Sequence, residues 1–186
     1  MRESIVGTAA LVLFGLAIGA EAPSRPAQAP GQLARQQYTT PNRNIDYEGF
    51  LSNAVAVSKL RQERRVREQD FIEMSLKPDT IVFDARSDAK YGLLHVKGAK
   101  HLSLPDVTAA ELAKLIPSKA TRILIYCNNN FLGDPESFPT KEMRASLNLY
   151  TFNTLYSYGY TNVYELGPWI DIKASKIPFE GSKLGR

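Results

Sequence analysis

Two short apolar runs constrain this chain more than anything else in it. Thr80-Ile81-Val82-Phe83-Asp84 and Arg122-Ile123-Leu124-Ile125-Tyr126 are continuous rather than alternating. Strands buried on both faces read this way, because helices cover the sheet from either side. Helical signals surround them. Asp46 is an N-cap candidate, with Phe50, Ala54, Val57 and Leu60 following at helical spacing, and a second piece covers Glu68 to Leu76 before Pro78. Gly98 to Leu104 suggests a short strand after a turn. Thr108-Ala109-Ala110-Glu111 is a capping box whose helix ends at Pro117. Met143 to Tyr158 reads as a helix with Ala145, Leu149, Phe152 and Tyr156 on one face and Gly159 as its stop. Asn162 to Leu166 is a last strand, ending at Gly167. Strands alternating with helices predict an α/β fold: a central, mostly parallel sheet with helices on both faces.

The second apolar run delivers Cys127, the one cysteine in the chain, to a polar loop, Asn128-Asn129-Asn130. Ligands and chemistry gather at the carboxyl ends of such strands. A thiolate there is a strong nucleophile near neutral pH. The plainer reading is a small buried hydrophobe. One cysteine cannot form an internal disulfide, so stability must come from the core. Roughly 140 ordered residues suffice for one domain.

Residues 1–20 read as an export signal. Arg2 precedes an apolar stretch from Ile5 to Ala20, with small residues at the expected cut. That stretch is short for a membrane helix, although an uncleaved anchor is the alternative. Residues 21–44 are rich in Pro, Ala and Gln and read as a flexible linker. The chain is therefore expected to be exported, to the periplasm or outside the cell, with no stable membrane insertion once cut. Its net charge of +4 is mild. The basic residues cluster in Lys59 to Arg67 with acidic ones interleaved, the pattern of a solvated helix face. Nucleic-acid binding would need a broader basic surface with aromatic residues between.

In order and spacing, four stretches resemble the rhodanese-like domain, over about Asn44 to Gly181. Thr80 to Arg86 resembles its first core strand with an Asp-x-Arg ending. His95-Val96-Lys97-Gly98-Ala99-Lys100-His101-Leu102 resembles its His-x-x-Gly-Ala turn. Ile123 to Cys127 resembles the strand that carries the catalytic cysteine. Gly159 to Trp169 resembles the helix end, last strand and Gly/Trp turn. The resemblance implies a three-layer fold for residues 45–186. It also implies an activity: a cysteine, here Cys127, accepts sulfane sulfur from a donor such as thiosulfate and passes it to a thiophilic acceptor. No metal or cofactor is implied.

The chain departs from that pattern after the cysteine. The family's loop is short, with an Arg just before the next helix. Here Asn128 to Pro139 intervenes before a helix expected near Thr140, and the first Arg is Arg144. Asp134 and Glu136 would oppose an anionic donor if they pointed inward. Gly133 stands where the phosphatase relatives carry a phosphate-binding Arg. Asn128, Asn129 and Asn130 are expected to form a neutral cradle of donors for the sulfur, with Gly133 allowing the bend; the plainer reading is that Asn suits an irregular loop.

Asp84 and Arg86 are candidate substrate contacts, or else an ion pair pinning the sheet end. His95 and His101 are expected to be structural, and Trp169, Tyr164 and Phe152 core. Two His and one Cys without ligand spacing indicate no zinc site. Pro139 at the twelfth loop position rules out an EF-hand. Three functions stay open: a sulfurtransferase or persulfide carrier with a small sulfur donor and a thiol acceptor; a non-catalytic module binding a protein partner or small ligand; and a redox protein forming mixed disulfides at Cys127.

Overall fold

The structure is a computed structural model that describes residues 42–184. The expected export signal and most of the expected linker lie outside the described residues. Among those described, no helix is long and apolar enough to cross a membrane.

Asp46 caps the first helix as expected: its side chain accepts from the Gly49 amide at 2.8 Å. The elements then run α1 (Tyr47–Arg64), β1 (Arg65–Val66), α2 (Glu68–Ser75), β2 (Thr80–Asp84), α3 (Asp88–Leu93), β3 (His95–Val96) and β4 (Lys100–His101). After them come α4 (Ala109–Leu115), β5 (Arg122–Tyr126), β6 (Phe131–Leu132), α5 (Leu147–Ser157), β7 (Val163–Leu166), β8 (Ile170–Asp171) and β9 (Phe179–Glu180). The main sheet has the order β1-β7-β5-β2-β4 and is parallel throughout. Two small ladders flank it: β3 with β9, antiparallel, and β6 with β8, parallel.

The two apolar runs are the central pair, β2 and β5, in register from Thr80 opposite Arg122 to Asp84 opposite Tyr126. Their side chains alternate between two cores. Ile123 and Ile125 pack with Val57 of α1, Leu112 of α4 and Phe152 of α5. Leu124 and Tyr126 pack on the other face with Phe71 of α2, Phe131 and Phe138. Burying a single such side chain contributes about 1.5–3 kcal/mol, so a strand shifted by one residue would trade both cores at once.

Several boundaries differ from expectation. The strand read at Gly98 to Leu104 shrinks to β4, two residues long. The helix read from Met143 becomes a single 3-10 turn at Met143–Ala145, and α5 begins at Leu147. Phe152 of the predicted stripe is buried and Tyr156 packs against the same core, but Asn148, Thr151 and Asn153 are buried as well and Ala145 is exposed. Asn148 and Asn153 border the cavities described below. Thr108 accepts from the Glu111 amide at 3.2 Å, but Glu111 pairs forward with Lys114. Trp169, expected in the core, is 66% exposed.

Asp84 and Arg86 form a buried knot. Their side chains are essentially inaccessible, at 0% and 1%. Arg86 Nη2 donates to Asp84 at 2.6 Å and to the Leu94 carbonyl at 2.8 Å, and Nη1 donates to the Ser137 carbonyl at 3.0 Å. The Tyr126 hydroxyl donates to Asp84 and accepts from the Val96 amide. Burial alone would depress the Arg86 guanidinium, but Asp84 outweighs it and holds it above its ordinary value. Burial first, then the Asp84 charge, pushes the Tyr126 phenol well up. His95 bridges the Tyr91 carbonyl and Glu180, while His101 bridges the Asp84 carbonyl and Asp88, both structural roles.

The loop after β6 is tied to the C-terminal segment. Lys183 Nζ reaches Asp134 at 2.6 Å and Glu136 at 2.9 Å. Both acids therefore face Lys183 and not the thiol. Gly133 takes φ +92, where a side chain would be strained, and a Cβ there would stand 3.0 Å from Asp171 Oδ1.

Two consequences are measurable. Arg86→Met leaves Asp84 buried and unpaired and lowers stability by about 3–5 kcal/mol in urea unfolding, whereas a loss under about 1 kcal/mol would contradict the knot. At Asp134, burial pushes the carboxyl up, but hydrogen bonds from Lys183 and Ser137 more than offset it and hold it below its ordinary value. A depressed folded value stabilises above the unfolded value and loses that contribution as pH falls through the folded one. Lys183→Met is thus expected to cost up to about 1 kcal/mol at neutral pH, with the gap to the parent protein closing in acid below the Asp134 titration.

Candidate active site

The register of β5 decides where the thiol points. Ile123 and Ile125 face the core shared with α1 and α5, so the next residue on that side is Cys127. It is 1% exposed but borders a cavity of about 260 Å³. Its sulfur lies 3.5 Å from the hydroxyl of Ser146, the residue that precedes α5. The positive end of α5, where first-turn amides lack helical partners, therefore opens beside the thiol.

The cations at this cavity come from an unexpected place. Arg61 and Arg65 line it, reaching in from the end of α1 and from β1. Arg61 was expected on a solvated face with the rest of the basic run. Instead it makes a bidentate pair with Glu165 of β7, at 2.6 and 2.7 Å. That hydrogen-bonded pairing, against an opposing effect of burial, raises the Arg61 guanidinium; the negative charge that Cys127 can carry adds to the rise. Arg64 turns the other way, donating to the Thr161 carbonyl before the start of β7. Gly167 closes the rim, where a Cβ would meet the Val66 carbonyl at 3.2 Å.

The three asparagines after Cys127 have separate environments. Asn130 is a buried hub. Its Oδ1 accepts from the Cys127 amide at 2.8 Å and from Asn148 Nδ2 at 3.1 Å, and its Nδ2 donates to the Leu166 carbonyl at 2.7 Å. Asn129 exchanges two hydrogen bonds with the Lys141 backbone, at 2.8 and 2.9 Å. Asn129 and Asn130 both line the thiol's cavity, but these side-chain amide bonds run to carbonyls instead of the sulfur. Asn128 turns to a different cavity, of about 360 Å³, that also borders Arg86. The side-chain part of the expected cradle of asparagines and their backbone amides is therefore not assembled, because holding the loop already engages two of the three side chains.

Asp84 and Arg86 belong to the knot under the sheet end; Arg86 edges the second cavity, and neither lines that of Cys127. Five residues at this site were not legible as such in the sequence: Arg61, Arg65, Ser146, Asn148 and Glu165. Asn148 is 2% exposed, lines the thiol's cavity and carries an Oδ1 with no partner among the described residues. The one available signal was a run of polar residues, Asn148, Thr151 and Asn153, in a helix that should bury apolar ones.

The asparagine contacts make a contrast. Asn130→Ala strands the buried Cys127 amide and costs about 1–3 kcal/mol or more, whereas the exposed bonds of Asn129 are replaced by water and Asn129→Ala costs under about 1 kcal/mol. Thermal or urea unfolding of the two variants side by side checks the order; equal losses would remove the hub role of Asn130.

Comparison with known proteins agrees with the architecture. A family model for the rhodanese-like domain matches residues 68–167. A Bacillus halodurans protein of solved structure is 18% identical over 76% of this chain and 88% of its own, with a TM-score of 0.47. A rhodanese from E. coli, solved with anions, is 23% identical over 55% of this chain and 99% of its own, with a TM-score of 0.37. The rhodanese-like domain of an Anabaena protein is 22% identical over 66% of this chain and 83% of its own, with a TM-score of 0.44. Curated proteins gave no match. From α2 through the Gly167 turn, with Cys127 ending its central strand, the chain belongs to the rhodanese-like domain family.

Proposed function

We propose that this protein is an exported sulfurtransferase or persulfide carrier in which Cys127 accepts sulfane sulfur and passes it to a small thiol. Family membership supports sulfur transfer as the general class. The observation that carries the reading is the meeting of Cys127, Arg61 and Arg65 around one cavity at the end of the central strand. The apolar stretch from Ile5 to Ala20 supports export.

The chemistry balances without an outside oxidant. The Cys127 thiolate attacks the outer sulfur of thiosulfate. A new S–S bond forms, the donor's S–S bond breaks, and sulfite leaves with the electron pair. Cyanide or a thiolate then attacks the terminal sulfur of the Cys127 persulfide and returns the thiolate. Arg65 and the first turn of α5 offer positive potential to the anionic donor and to the departing sulfite. Glu165 offsets Arg61, so the site keeps modest positive charge and does not trap the anion. Asn148 Oδ1 is an acceptor beside the sulfur, suited to a protonated thiol or persulfide.

One observation favours a second reading, a non-catalytic binding module: beyond Asn130 the long loop crosses to the other face, so only its first turn stands beside the sulfur. One assay separates the two. The protein should form thiocyanate from thiosulfate and cyanide, and should gain one sulfur atom on Cys127 by mass spectrometry. Cys127→Ser should lose both. No thiocyanate and no added sulfur in the parent protein would sink the sulfurtransferase reading and leave the binding module.

A further inference from the structure

The cavity of Cys127 adjoins a second one. A groove of about 320 Å³ lies between α1 and α5, and Arg61 and Leu149 line both spaces. Phe50, Ala54 and Val57 form one wall, and Leu149 and Tyr150 the other. Phe50 and Tyr150 stay 42% and 43% exposed, so this apolar surface is left open. Arg144 stands at the groove with no hydrogen-bond or ion-pair partner among the described residues. Asn153, also lining it, is 5% exposed and has an Oδ1 without a partner among the described residues. The α1 wall lies before residue 68, outside the span of the family match.

Thiosulfate and cyanide bury no hydrocarbon, and such a groove does nothing for them. A molecule with a carbon body gains about four-fold in affinity for each methylene it buries. Two adjoining cavities of this size, sharing Arg61 and Leu149 as lining, reach the usual range of small-molecule sites, about 300–1,000 Å³. The charges give the orientation: an anionic group at Arg144 leaves the other end of the molecule directed past Arg61 to Cys127.

Resting on the sulfurtransferase reading of Cys127, we propose that the sulfur acceptor is an organic thiol whose apolar body lies in the α1–α5 groove and whose anionic group pairs with Arg144. The acceptor thiolate attacks the terminal sulfur of the Cys127 persulfide. A new S–S bond forms on the acceptor, the bond to Cys127 breaks, and the Cys127 thiolate leaves with the electron pair. The acceptor departs as a persulfide, with no net oxidation.

The test uses the full chain charged with thiosulfate and then offered ω-mercaptoalkanoates of increasing length, with cyanide as the reference acceptor. The expected kcat/KM rises by about four-fold per added methylene until the groove is filled. Ser58→Trp places an indole in the groove from an exposed α1 position outside the thiol's cavity. It should lower transfer to the long thiols by about tenfold or more, the worth of two buried methylenes, and leave cyanide turnover unchanged. A flat length series, or an equal fall with cyanide, overturns the proposal. Calorimetry with plain alkanoates reads the groove without any sulfur chemistry. Length-graded binding that Ser58→Trp removes supports the groove even if Cys127 forms no persulfide, and absence of binding overturns it.

Discussion

Arg86 is a fixed cation out of reach of water, and a charge in that position must be met from every side. Burying an ion without partners costs several kcal/mol, and a buried pair holds only when its remaining donors and acceptors are also satisfied. Here Asp84, the Leu94 carbonyl and the Ser137 carbonyl meet the guanidinium, and the Phe138 ring lies 4.3 Å from it. Asp84 in turn takes the Tyr126 hydroxyl from the neighbouring strand. The group thus ties β2 to β5, to the turn before β3, and to a loop fifty residues downstream.

That last tie shapes the site. Ser137 and Phe138 belong to the loop that follows Cys127, and Arg86 holds them on the face away from α1 and α5. Phe131 and Phe138 complete the aromatic core on that face, their rings 4.8 Å apart. The thiol points to the opposite face. A loop anchored on one side of the sheet leaves only its first turn, Asn129 and Asn130, beside the sulfur on the other, so the rest of that space is bounded by α1, β1, β7 and the start of α5.

This division explains what was legible in the chain. Thr80–Asp84 and Arg122–Tyr126 could be read to the residue, because burial on both faces demands an uninterrupted apolar run. Cys127 was legible for the same reason. The pairing of Arg61 with Glu165 was not, since 104 residues separate them and a basic helical run looks alike whether one member turns inward or none does. Apolar spacing carries no sign of the polar part of the α5 face: Asn148 borders the thiol's cavity and holds Asn130, and Asn153 borders the neighbouring groove. Trp169 was misplaced because an aromatic residue near a Gly turn carries no signal of which way the turn presents it.

The position of the cations also bears on how such a site can change without losing its chemistry. A sulfur-transfer site needs positive potential near the thiol, not a particular strand or loop to supply it. Where the loop after the cysteine is short, its own Arg and amides can do this. Here the loop is long, carries Asp134 and Glu136, and would bring negative charge if it wrapped the sulfur. Lys183 removes both acids to the far side, while Arg61 and Arg65 supply the cations from the start of the domain. Once α1 provides the charge it must lie across the mouth of the site, and its apolar residues then border whatever approaches Cys127. On the proposed function, electrostatics and acceptor selection would be two consequences of one helix.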